Sequence, residues 1–210
     1  KESPYGAFSD YTSLLPYETP YKNGTLVKQL YYSRKGSNSV NNPLYEATLS
    51  NYEWSAYDEI IDNLSVNWYL NDYLTVKGQF SVTKQYTSSE RFYDPLSSKV
   101  SVYGTTDTKL QGDLFTGEGS SLSWNSNAFL YYTRSFGNHN FNFSGGWEAS
   151  AYNTENTSAQ YRGFPSGQFN SLNYASEIYK KPTLTENTTR RVSILATLNY
   201  TWNDIYLADA

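Results

Sequence analysis

The chain has one histidine, His139, and no cysteine in 210 residues. A lone imidazole has no second ring with which to share a metal or relay a proton, and without thiols there are no disulfides or thiolate sites. Asn138 and Asn140 flank His139 and place it in a turn, where a solvated surface role suits it. The carboxylates at Asp58-Glu59, Glu118 and Glu148 would form a glycosidase pair only if two stood on facing walls at a defined separation. Nothing in their spacing puts them there. Gly112 through Gly117 has the outline of a phosphate loop, yet Glu118 stands where the motif needs a lysine. No catalytic, cofactor-binding or metal-binding residue is therefore expected, and the chain reads as a non-enzyme.

Aromatic residues carry more information. Tyr17, Tyr21, Tyr31, Tyr32, Tyr45, Tyr52, Trp54 and Tyr57 crowd the first quarter of the chain. Phe92, Tyr93, Tyr103, Tyr161, Phe164, Phe169 and Tyr174 occupy two later polar stretches. Such rings either stack on a sugar or pack against a covering protein, or they anchor the loops that carry them. Tyr31, Tyr32, Trp54, Tyr93, Tyr161 and Phe164 are the candidate contacts to a substrate or lid. The surrounding composition is neutral: 38% hydrophobic, 17% charged, 22 tyrosines and a net charge of −4. That balance offers no clustered cations for nucleic acid.

Five segments could position these residues, each alternating with period two as strands do. Their apolar faces are Leu64, Val66, Trp68, Leu70; Leu74, Val76, Phe80, Val82; Leu122, Trp124, Ala128, Leu130, Tyr132; Phe141, Phe143, Trp147, Ala149, Ala151; and Val192, Ile194, Ala196, Leu198, Tyr200, Trp202. Each runs about ten residues, against about 5–6 for an average strand and about 9–11 for one that crosses a membrane. Short turns are expected at 71–73, 134–140 and 203–204, and long polar loops at 87–120 and 153–189. Residues 1–58 read as a further outer loop, and 59–210 as five to six strands. Alternation of tight turns with long loops is the habit of outer-membrane barrels.

The two faces differ as a barrel wall requires. The apolar faces carry no Lys, Arg or Glu, while Lys77, Glu148 and Arg191 sit on the opposite parity amid Asn, Ser and Thr. Trp68, Tyr73, Tyr132, Trp202 and Tyr206 gather toward the short turns, as residues of a membrane-interface girdle do. The fold expected is all-β, with antiparallel up-and-down strands forming part of a large transmembrane β-barrel with long extracellular loops. A soluble carbohydrate-binding β-sandwich or adhesin module shares the alternation and remains the alternative. Lys1 is not a natural start, and the second strand of the last hairpin has barely begun at Ala210, so an internal piece of a longer chain is expected.

Three stretches resemble one family. Asn42-Pro43-Leu44-Tyr45 is similar to the segment before a strand in SusC/RagA-type TonB-dependent outer membrane transporters. Leu70-Asn71-Asp72-Tyr73-Leu74-Thr75-Val76-Lys77 resembles one of their strand–turn–strand units, with Tyr73 in place of the usual glycine. Arg191 to Leu207 is the most specific, matching at Asn199-Tyr200, Asp204 and Tyr206-Leu207, with Ile205 where the family commonly has a basic residue. The resemblance implies a barrel of about 22 strands with a plug inside, in the outer membrane of a Gram-negative bacterium of the Bacteroidetes. It implies uptake of oligosaccharide or peptide with a SusD-like surface lipoprotein, contact with membrane lipid, and energy from the TonB complex through parts outside this chain. No cofactor is implied.

Overall fold

A computed structural model describes residues 17–30, 40–102, 107–203 and 205–210. Four two-residue strands come first, β1 (Tyr21–Lys22), β2 (Thr25–Leu26), β3 (Gln29–Leu30) and β4 (Val40–Asn41). They pair as two small antiparallel ladders, β1 with β2 and β3 with β4. A single helical turn, α1 (Pro43–Glu46), follows. Six strands then alternate in direction: β5 (Tyr52–Asn71), β6 (Leu74–Tyr93), β7 (Asp113–Phe136), β8 (His139–Arg162), β9 (Glu177–Trp202) and β10 (Tyr206–Asp209). Each is hydrogen-bonded to its neighbours in sequence, in the order β10-β9-β8-β7-β6-β5. Among the described residues there is no second large sheet packed on this one, which a sandwich requires.

The turns follow from their residues. Asn71 accepts a hydrogen bond from the Tyr73 amide (2.9 Å), the Asx geometry that closes β5 onto β6. Gly137 takes φ +57° between β7 and β8, and Asn203 takes φ +56° between β9 and β10. Glycine and asparagine are the residues that adopt this left-handed region most readily.

The strands are much longer than the alternation suggested. Strands reach into both expected loops, 87–120 and 153–189, and what remains between strands is 94–112 and 163–176. The expected outer loop 1–58 likewise overlaps the start of β5 at Tyr52. Alternation appears only where one face is apolar and the other wet, whereas the backbone ladder needs no such contrast. The extra lengths include recurrent threonines, as in Asn153–Arg162 and Leu184–Arg190, and threonine favours extended backbone. Pro182 sits within β9, where β10 pairs only residues 199–202, so its missing N–H interrupts no ladder bond on that side.

The chain divides into two compact units: Lys1–Tyr57, Thr87–Glu118 and Asn156–Leu184 in one; Asp58–Tyr86, Gly119–Glu155 and Thr185–Ala210 in the other. All five apolar stretches belong to the second. There Ile194 is 85% exposed and Val66 54% exposed, so the apolar parity of β5 and β9 is not covered by protein. The first unit holds a conventional core: Phe92, Leu114 and Phe164, with Tyr52, Tyr161 and Ala175 packed against them. No helix among the described residues is long and apolar enough to cross a membrane.

Candidate functional site

Two constellations stand out, one in each unit. In the second unit an aromatic belt runs along the short-turn ends of the strands. The Trp202 and Tyr206 rings stack at 5.4 Å across a directly paired position of β9 and β10. Tyr200 meets Phe141 at 4.7 Å, and Phe141 meets Phe136 at 5.3 Å. The Arg134 guanidinium lies over Tyr73 (4.6 Å) and Phe136 (5.5 Å). Of the expected girdle residues, Tyr73, Trp202 and Tyr206 join this belt. Trp68 on β5 and Tyr132 on β7 make no ring pair among the described residues.

His139 is the first residue of β8 rather than a turn residue. Its ring stacks on Tyr200, and its Nδ1 lies 2.7 Å from the Tyr200 hydroxyl. The residue is part of the belt, not an isolated surface group. On the polar parity of the same unit, side chains bond across strands: Asn125 to Glu148 (3.0 Å), Ser144 to Thr197 (2.7 Å) and Asn199 to Asp209 (2.8 Å). A surface that satisfies its polar groups this way tolerates water, and the opposite one does not require it.

The first unit is held by buried carboxylates. Pro43 opens α1 at the first helical position, where its missing N–H costs nothing. Asn42 caps the turn by accepting from the Leu44 amide, and its own amide donates to the Pro20 and Val27 carbonyls. The Asn-Pro-Leu-Tyr stretch is thus a cap that ties three segments together. Glu46, 3% exposed, accepts from Ser97 Oγ (2.6 Å), Ser98 N (2.9 Å), Ser98 Oγ (2.5 Å) and Asn51 Nδ2 (2.8 Å). Asp94 accepts from the Ser50 and Leu96 amides, and Asp113 from the Ser101 amide and hydroxyl. Carboxylates that collect several donors can be buried without a cation.

Within this unit a cleft of about 370 Å³ opens between β5, β6 and β7, lined by Glu53, Trp54, Ser55, Ser89, Glu90, Arg91, Phe115, Thr116, Gly117 and Ser158. The Arg91 guanidinium packs over Phe115 (4.4 Å) and near Tyr93 (5.5 Å), whose rings meet edge to face at 6.0 Å. Its nearest carboxylate is Glu53, with Nη1 3.8 Å from Oε1. Glu90 is engaged instead by the Tyr52 hydroxyl (2.5 Å). Burial, reinforced by that bond to Glu90, pushes the Tyr52 hydroxyl well above the ordinary tyrosine range.

The candidate contact residues separate accordingly. Trp54 lines the cleft and Tyr93 borders the arginine within it. Phe164 is 2% exposed and forms the core with Phe92, at 5.1 Å edge to face, so it presents no ring to a ligand. Expecting it at the surface came from reading its segment as an open loop. Tyr161, on β8, packs half-buried against that core. Tyr31 and Tyr32 lie outside the described residues. The residues the sequence did not reveal are Arg91, Glu53 and Phe115. Inside a supposed loop no parity could be assigned to Arg91, and Phe115 comes beside it only through the β6–β7 pairing. Among the described residues no cluster of three or more His, Asp or Glu side chains is placed to hold a metal ion.

No protein-family model and no curated protein matches the chain. Solved structures do. The chain is similar to one in the RagAB peptide transporter, at 18% identity and a TM-score of 0.69, over 89% of this chain and 20% of that one. It is similar to chains of the RagAB peptide importer in an open-open state (19%, TM-score 0.69) and a closed-closed state (19%, TM-score 0.66), with the same coverage. The chain therefore spans about a fifth of the length of the chains it matches. At such identity the likeness establishes the fold, and the fold is that of an antiparallel up-and-down segment of a RagAB transporter chain, as the resemblance at Arg191–Leu207 implied.

Proposed function

We propose that the chain is a wall segment of a TonB-dependent nutrient importer of the SusC/RagA type in a Gram-negative outer membrane. The apolar stretches of its long strands cross the bilayer, and the long connections between strands face outward. The observation that carries this reading is the band of apolar side chains on one parity of five strands, about ten residues tall, left exposed on β5 and β9 and closed at the short turns by rings. A strand rise of about 3.3 Å and a tilt of about 40° turn ten residues into a band about 25 Å high, the height of the apolar belt on such barrels. The likeness to RagAB chains supports a SusD-like lipoprotein as outer partner and peptide as cargo; oligosaccharide is the other cargo the family resemblance implies. Chemical work by this segment is not part of the reading.

The full-length protein tests it. In cells, it should fractionate with the outer membrane, and uptake of labelled peptides or oligosaccharides should be lost on deleting either its gene or the TonB complex. A full-length protein that purifies as a monomer from the soluble fraction without detergent would sink the reading.

A further inference from the structure

We propose that Arg134 grips the phosphate of a membrane phospholipid at the short-turn end of the wall, with the Tyr73 and Phe136 rings beside its glycerol. The proposal rests on the wall reading and names the lipid chemistry that one point of that wall recognises. Position is its first support. Arg134 continues the apolar parity of β7, two residues beyond Tyr132, and is the first charge on that face after Leu122. It lies seven residues from Asn127, the centre of the Leu122–Tyr132 stretch. That is about 23 Å along the strand and about 18 Å in depth at a tilt of about 40°. Hydrocarbon ends about 15 Å from the midplane and headgroups end about 20–22 Å from it, so Arg134 stands in the phosphate layer.

The second support is a charge with no counterpart in the protein. The guanidinium lies 4.6 Å from the Tyr73 ring and 5.5 Å from the Phe136 ring, which hold it without neutralising it. No carboxylate pairs with it among the described residues, Asp72 of the neighbouring turn included, whereas Arg91 has Glu53 and Arg162 has Glu177. Because β7 is flanked by β6 and β8, no further strand of a larger barrel can come to lie beside Arg134. Its anion must come from outside the wall. Beyond the other end of the apolar stretches the arrangement differs: Lys84 shares a groove with Glu155 and Glu186, so that cation already has acids beside it. A guanidinium fork matches a phosphate with two parallel bonds. The Phe136 ring, 5.3 Å from Phe141, extends the aromatic surface on which the glycerol and upper chain carbons rest.

The test uses the full-length protein in vesicles of phosphatidylglycerol and diglucosyl diacylglycerol in equal parts, lipids with the same chains of which only one carries phosphate. A photoreactive benzoylphenylalanine replaces Phe136, and mass spectrometry counts each lipid crosslinked to it. Folding of every variant is checked by the mobility shift on heating. Phospholipid should exceed glycolipid about tenfold, the scale of a hydrogen bond to a charged group, and Arg134→Gln should bring the ratio near one. Arg134→Lys, which keeps the charge and loses the fork, should fall between. Lys77→Gln, on the wet parity, should leave the ratio unchanged, as should excess inorganic phosphate. A parent ratio near one, or a ratio that survives Arg134→Gln, overturns the phosphate contact. So does a preference abolished by inorganic phosphate, which would make this a site for a free anion. The same photoreactive residue in place of Ile194 reports on the wall reading separately. Lipid crosslinks there without selectivity at Phe136 refute only the phosphate contact, and no lipid crosslinks there refute the wall.

Discussion

Ile194 and Leu195 are adjacent aliphatic residues on β9, 85% and 48% exposed, and they lie on opposite parities. Replacing each by arginine separates a lipid-facing wall from any soluble arrangement. The apolar stretch of β9 runs from Val192 to Trp202, with Thr197 at its centre. Ile194 is three residues from that centre, about 10 Å along the strand and about 8 Å in depth at a tilt of about 40°. Arginine facing lipid costs about 2–4 kcal/mol at the midplane and falls toward zero at the interface. Ile194→Arg should therefore cost about 2 kcal/mol. Leu195 is nearer the midplane, so depth alone would make Leu195→Arg the worse substitution. On the wet face, beside Arg191 and Ser193, it should instead cost less than about 1 kcal/mol. The assay is urea unfolding of the full-length protein in lipid vesicles, read by tryptophan fluorescence and by the mobility shift on heating. Equal costs, a reversed order, or two values near zero would refute the assignment of faces.

Two further substitutions probe the first unit. Glu46→Ala strands the Ser97, Ser98 and Asn51 donors in a buried site, and should cost about 2–4 kcal/mol locally; amide exchange over 94–101 should accelerate, and exchange unchanged there would show that the carboxylate does not hold the loop. Tyr52→Phe removes the bond to Glu90 and should cost about 1–3 kcal/mol at pH 8. Because the folded tyrosine has its pKa raised above the unfolded value near 10, its contribution is complete below that pH and is lost as pH rises through the folded value. The gap between parent and Tyr52→Phe in amide exchange of β6 should thus persist to pH 10 and narrow only beyond it; a gap that closes between pH 8 and 10 would contradict the raised pKa.

Much of the fold was written in local pattern. Leu64 to Leu70, Leu122 to Tyr132 and Val192 to Trp202 alternate because one side of each strand avoids water and the other does not, and period two reports that contrast directly. Asn71, Gly137 and Asn203 announce their turns, since few other residues close a strand pair so tightly. The strand ends beyond the apolar band were invisible for the same reason: with no apolar side, Asn153–Arg162 has nothing to alternate. His139 showed only its polar neighbours, and its ring partners Tyr200 and Trp202 lie more than sixty residues away.

The sequence by itself determined the apolar band, the turns and the family likeness, because each depends on residues near one another in the chain. Tertiary structure decided which rings are available and which are core. Phe164 and Tyr93 look alike in sequence, but packing against Phe92 and Leu114 buries the first, while strand pairing sets the second beside Phe115 and Arg91. It also decided that Glu46, an ordinary carboxylate in sequence, is the buried acceptor for a loop fifty residues on. Those outcomes depend on which strands lie side by side, and hydrogen-bond register between distant segments leaves no local trace.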